Sequence, residues 1–66
     1  MHTWQHQPNT SMGEMYFFQD METSHIKYSM RREKEHGDLW VIRDENGKYI
    51  DRNMGRNYLM YNKYKN

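Results

Sequence analysis

The chain has no cysteine, no alanine and one proline, and only eight of its residues are Ile, Leu, Val or Phe. Each shortage excludes something. Without Cys there is no disulfide framework and no thiolate zinc site, and a reducing, cytoplasmic (intracellular) setting fits. No stretch approaches the roughly 18–20 apolar residues of a membrane span. No apolar run follows Met1, so no signal peptide is expected. The four glycines, at 13, 37, 47 and 55, stand singly and make no phosphate loop. A chain of 66 residues is one small domain at most, and it has trouble forming the roughly 300–1,000 Å³ pocket typical of small-molecule sites.

What is present offsets the missing aliphatic residues. Seven Met, six Tyr and two Trp bring large buriable area. The net charge of +1 leaves little self-repulsion. An aromatic and methionine core is expected. Such a small domain has thin stability and no evident staple, which favours a protein partner or self-association. The charge falls in blocks: −3 over 1–25, +2 over 26–36, −2 over 37–46 and +4 over 47–66. That segregation is weaker than the basic footprint of a dedicated nucleic-acid binder.

Residues 1–13, "MHTWQHQPNTSMG", are polar and hold the only Pro. They are expected to form a flexible N-terminal tail, with Trp4 either docked on the body or free for a partner. Residues 14–66 then make a single small β domain. The run 14–21, "EMYFFQDM", is short and aromatic and predicts a strand. In "HIKYSMR", Ile26, Tyr28 and Met30 alternate with Lys27, Ser29 and Arg31, the period of a half-buried strand. A helix over 23–36 is the rival reading, but its apolar stripe stops at two positions.

Two stretches repeat a turn pattern. Glu35-His36-Gly37 and Glu45-Asn46-Gly47 each suit a three-residue hairpin loop with Gly in the left-handed position. The first loop pairs Lys34 with Asp38, Arg32 with Trp40 and Met30 with Ile42. The second pairs Asp44 with Lys48, Arg43 with Tyr49, Ile42 with Ile50 and Trp40 with Arg52. One face then collects Ile26, Tyr28, Met30, Trp40, Ile42 and Ile50. The other collects Lys27, Ser29, Arg31, Val41, Arg43, Tyr49 and Asp51, with Leu39 at its edge. The fold class is mainly β: a small antiparallel meander of three to four strands. A C-terminal fifth strand closes it as an SH3-like small barrel, or one short C-terminal helix covers it, because something must cover the apolar face.

No catalytic set emerges. Ser11, Ser24 and Ser29 lack a nucleophile motif. His2 and His6 stand four apart, without a third ligand close in sequence. The chain is not expected to be an enzyme, and neither a cofactor nor a metal is expected. The Met residues fit a core better than an adaptable binding surface. Tyr58, Tyr61 and Tyr64 either pack inward or join Arg56, Lys63 and Lys65 on a basic aromatic surface.

Two functional classes remain. The first is a protein-binding module, a stoichiometric inhibitor or regulator acting by surface contact, since an exposed edge strand is a template for another chain. Small, Ala-free chains rich in Met, Tyr and Asn also resemble phage accessory proteins in composition. The second is a single-stranded nucleic-acid binder using a basic aromatic sheet face. The candidate partner contacts are Lys27, Arg31, Arg43 and Tyr49.

Overall fold

The computed structural model describes residues 1–11 and 13–65, the side chain of Asn9 excepted. Five strands form one antiparallel sheet in chain order: β1 (His2–Thr10), β2 (Gly13–Asp20), β3 (Ile26–Glu33), β4 (Leu39–Asp44) and β5 (Tyr49–Asn53). The sheet is an open meander, so β1 and β5 are its two edges. A short helix, α1 (Arg56–Tyr58), runs on into a widened helical turn over Leu59–Lys63. Of the two expected ways of covering the sheet, the short helix is the one found. No helix among the described residues is long and apolar enough to cross a membrane.

The expected flexible tail is a correction. Met12 lies outside the described residues, but His2–Thr10 form β1, in regular register with β2 from His2↔Asp20 to Gln7↔Met15. The reason is the rings. His2, Trp4 and His6 recur at every second position, so all three fall on one face of a strand. There Trp4 packs on Phe18 at 5.0 Å between ring centroids, and His6 stacks on Tyr16 at 4.5 Å. Trp4 Nε1 donates to the Tyr64 carbonyl at 2.8 Å, tying the start of the chain to its end.

The first expected hairpin keeps its register but not its loop: the ladder ends at Glu33↔Leu39, and Lys34, expected opposite Asp38, falls in the turn. Arg32 pairs with Trp40, and Met30 with Ile42. A single 3₁₀ turn (Lys34–His36) closes it, followed by Gly37 at φ 75°. The second holds at its turn, where Gly47 has φ 82°, the Asp44 amide donates to the Lys48 carbonyl, and Arg43 pairs with Tyr49. One residue further it departs. Ile50 is extra, a β-bulge, so Ile42 pairs with Asp51 and Trp40 with Asn53. The bulge has a visible consequence. It brings Asp51 to the helix side, where its carboxylate accepts from Lys63 Nζ at 2.6 Å and from the Tyr64 hydroxyl at 2.9 Å. Ile50 and Ile26, both expected inside, are 41% and 37% exposed. Ile26 precedes a second bulge, in which Lys27 is the extra residue.

The core lies between the sheet and the C-terminal helical segment. Tyr16, Met30, Ile42, Leu59 and Met60 are its buried members, with Trp4, Tyr28, Trp40 and Tyr64 packed around them. Tyr and Asn are poor helix formers, so burial must hold the segment. Leu59 is fully enclosed and Met60 nearly so, and a buried side chain of this size contributes roughly 1.5–3 kcal/mol. Met therefore divides: Met30 and Met60 are core, while Met1, Met21 and Met54 are exposed.

Candidate functional site

The sheet face away from the helix holds three of the four expected contact residues. Arg31 and Arg43 bracket Glu33, a carboxylate 2% exposed on a face with no second layer over it. Arg43 grips it with a fork, Nε to Oε2 and Nη2 to Oε1, both at 2.9 Å. Arg31 Nε lies 3.5 Å from Oε2, and His36 Nε2 lies 3.7 Å from Oε1. The Arg43 fork holds Glu33 below the ordinary carboxylate range, against burial, which pushes the other way. The same fork raises Arg43. Tyr49, paired with Arg43, tilts onto the His36 ring at 5.0 Å. A bidentate pair of this kind is geometrically strong, and here it commits both arms of the Arg43 fork. Arg43 Nη1 is also bonded, to the Gly47 carbonyl at 3.0 Å.

Lys27 does not join this group. It sits in the β3 bulge with its ammonium 5.4 Å from the centre of the Tyr28 ring. The basic aromatic surface drawn for the C-terminus is also dispersed. Arg56 donates to the Tyr16 hydroxyl at 2.8 Å and lies over the Tyr16 and Trp40 rings. Lys63 is held by Asp51, and Tyr64 is turned inward, its hydroxyl pushed up to about 12 by burial and then by Asp51. Tyr58 and Tyr61 stay exposed.

The two sheet edges differ in a way the sequence did not announce. The β5 edge is five residues long, is broken by the Ile50 bulge, and carries Asp51 and Arg52. The Arg52 amide is already taken by Asp51 Oδ1 at 2.8 Å. Bulges and charges are the usual guards against strand addition. The β1 edge lacks them over its first two thirds. His2–Gln7 keep regular register and include no Lys, Arg, Asp or Glu. This is about 20 Å of flat edge at the rise of an antiparallel strand. Only beyond Gln7 does the ladder shift, between Gln7 and Thr10, a stretch that includes Pro8, which has no amide hydrogen to give.

The loop after β2 fixes this edge at its head. Asp20 accepts the amides of Glu22 and Thr23 through Oδ1 and the Met1 amino group through Oδ2. Those bonds, the Thr23 amide first, hold its carboxyl well below the usual range. Next to it, a hollow of about 380 Å³ opens between the head of β1 and the C-terminal segment, walled by Trp4, Phe18, Met60 and Tyr61. A second hollow, about 480 Å³, lies at the other end of the sheet among Glu14, Arg32, Lys34, Asp38 and Trp40. Its charges are largely paired, Arg32 with Asp38 at 2.8 Å and Glu14 with His6 at 2.9 Å.

His6 thus finds a carboxylate that sequence spacing did not offer. Among the described residues no three His, Asp or Glu side chains gather as a metal would need. Sequence reasoning missed the β1 edge, the hollow beside it and the burial of Glu33. The signal for β1 was the alternation of rings at 2, 4 and 6, diluted by Gln, Thr and Pro. No protein-family model, no curated protein and no solved structure matches the chain, so geometry alone carries the functional argument.

Proposed function

We propose that the chain is a small protein-binding module whose docking element is the free edge of β1. It acts by surface contact, as a stoichiometric inhibitor or regulator does, and receives an extended segment of its partner as a sixth strand. The observation that carries this reading is the contrast between the edges: β5 is bulged and charged, while His2–Gln7 is regular and carries no Lys, Arg, Asp or Glu. Backbone hydrogen bonds supply affinity in strand addition, and alternate side chains supply specificity. The nucleic-acid alternative relied on Arg31, Arg43, Lys27 and Tyr49. It is weakened because the Arg43 fork is spent on Glu33 and Lys27 lies apart.

Capture from cell lysate, with and without nuclease, separates the two. The comparison uses the wild-type chain and the Gln5→Lys/Gln7→Lys variant. Both substitutions place edge lysines on the sheet face away from the helix, where they obstruct strand pairing yet strengthen attraction to phosphate. A nuclease-resistant protein captured by the wild type and lost by the variant is the expected result. Capture that nuclease abolishes and the lysines enhance would transfer the function to nucleic acid.

A further inference from the structure

We propose that Asn46 is a site of spontaneous covalent modification, deamidation through a succinimide, and that the hairpin turn carrying it sets the rate. This goes beyond the β1-edge reading and stands whether or not that reading holds.

The reaction needs a side-chain amide beside a backbone nitrogen that nothing crowds. The Gly47 nitrogen, once hydroxide has taken its proton, attacks Asn46 Cγ. The bond from Cγ to the side-chain nitrogen breaks, and that nitrogen leaves as ammonia. Water then opens the five-membered succinimide at either carbonyl. One opening gives aspartate, and the other gives isoaspartate, in which the chain runs through Cβ. Water is consumed and ammonia released, and no oxidant or cofactor enters.

Sequence and structure single out one position. Asn46 is the only Asn of the chain followed by Gly; the others precede Thr10, Met54, Tyr58 and Lys63 or end the chain. A side chain on the following residue crowds the attack, and Gly brings none. Asn46 and Gly47 are both exposed. Nothing lies within 4 Å of the place a Cβ on Gly47 would take. The Asn46 side-chain amide makes no hydrogen bond among the described residues, only its backbone amide being held, by Asp44 Oδ1.

The same turn holds the reaction back. The Gly47 amide donates to the Asp44 carbonyl at 3.0 Å. The attacking nitrogen must leave that bond before it can lose its proton. The bond sits inside a closed loop, in which the Asp44 amide donates to the Lys48 carbonyl and Asp44 Oδ1 accepts the Asn46 and Lys48 amides, each at 2.9 Å. Opening of this loop is therefore the gate. Amide exchange at Gly47 needs the same two events, local opening and loss of the proton.

The product reaches the charged face. Isoaspartate lengthens the backbone between positions 46 and 47 and so displaces the Gly47 carbonyl. Arg43 Nη1 is bonded to that carbonyl at 3.0 Å, while the rest of its fork holds Glu33. Either product also adds a negative charge beside Asp44 and Glu45.

The test ages the full chain in mildly alkaline buffer, folded and in urea. Peptide mass mapping follows each Asn, and an isoaspartyl methyltransferase marks the isoaspartate. Conversion at Asn46 ahead of every other Asn is expected in both conditions. The folded chain should react at least about threefold more slowly, the worth of one hydrogen bond. That slowing should match the protection of the Gly47 amide against exchange in the folded chain. In the isoaspartate product, NMR shifts should change at Gly47 and the Arg43 side chain and stay fixed at the Trp4 indole. Another Asn converting first, or no conversion at Asn46 in urea, would overturn the site. Equal rates folded and in urea would overturn the turn as its gate.

Discussion

Trp4 joins three parts of the molecule: strand β1, the Phe18 ring of β2 and the Tyr64 carbonyl after the helical segment. Trp4→Ala removes the ring packing and the hydrogen bond from β1 to the Tyr64 carbonyl. A loss of about 3 kcal/mol is expected, the low end for truncating a large aromatic because Trp4 is only partly buried. Urea unfolding measures it, and a loss below about 0.5 kcal/mol, the range of an indifferent surface change, would show that β1 is not docked. Glu33 has a different vulnerability. Arg43→Ala leaves a buried carboxylate without its fork, and about 3 kcal/mol is the usual cost of breaking such a pair from one side. Adding Glu33→Leu should return part of it. The same pair shapes the pH response. Glu33, Asp20 and Asp51 all have carboxyls held below their ordinary values, by Arg43, by the Thr23 amide and by Lys63 respectively. For each, the unfolded chain binds more protons in the window below the unfolded value. Their stabilisation is thus complete above about pH 5 and is lost as pH falls through the folded values. Urea midpoints should be lower at about pH 3 than at about pH 6, and the difference should shrink in Arg43→Ala; equal midpoints at the two pH values would contradict the assignment.

Among the elements, the hairpins were the most legible in the sequence. Both turn through a residue at positive φ, and Gly37 and Gly47 stand where the loops require it, although the first loop also puts Asp38 there, at φ 59°. Gly47→Ala should cost roughly 1 kcal/mol, since nothing within 4 Å of the new Cβ adds to the backbone strain. Asn46→Ala should cost less, and equal losses would show that the turn chemistry is misassigned. The alternation in "HIKYSMR", carried across by the register of the first hairpin, then placed Met30, Trp40 and Ile42 toward the core, as found, while Ile26 stays at the surface. The bulges at Lys27 and Ile50 were not legible. Pairing Ile42 with Ile50 is the better local match, and the structure gives it up for contacts between Asp51 and the segment after Gly55. A long-range bond of that kind leaves no trace in local periodicity. Asp51→Ala should therefore loosen the helical end, seen as faster amide exchange over residues 59–64 with little change at Met30 or Ile42. Uniform exchange at both places would count against it. Strand β1 was hidden because its polar half reads as loop and Pro8 as a breaker. The four contact residues were half legible: Arg31, Arg43 and Tyr49 share a face, but alternation could not say that Glu33 would occupy the arginines.

At the scale of the whole molecule, a five-stranded open sheet with one short helical cover leaves two edges and one sheet face without a second layer. The face is occupied by the paired charges around Glu33, and β5 is guarded by its bulge and its own carboxylate. Only β1 combines length, regular register and freedom from charged side chains over His2–Gln7. A net charge of +1 gives long-range attraction to phosphate little to work with. Binding carried by a few buried anchors should keep its dissociation rate as salt rises, with salt acting chiefly on association. The most direct measurement is amide hydrogen exchange on the captured complex beside the free chain. Strand addition predicts new protection at alternate amides within His2–Gln7, those pointing away from β2, and little change at Arg31, Arg43 or Tyr49. New protection around Arg31, Arg43 and Tyr49 with an unchanged β1 would contradict the account and place the contact on the charged face instead.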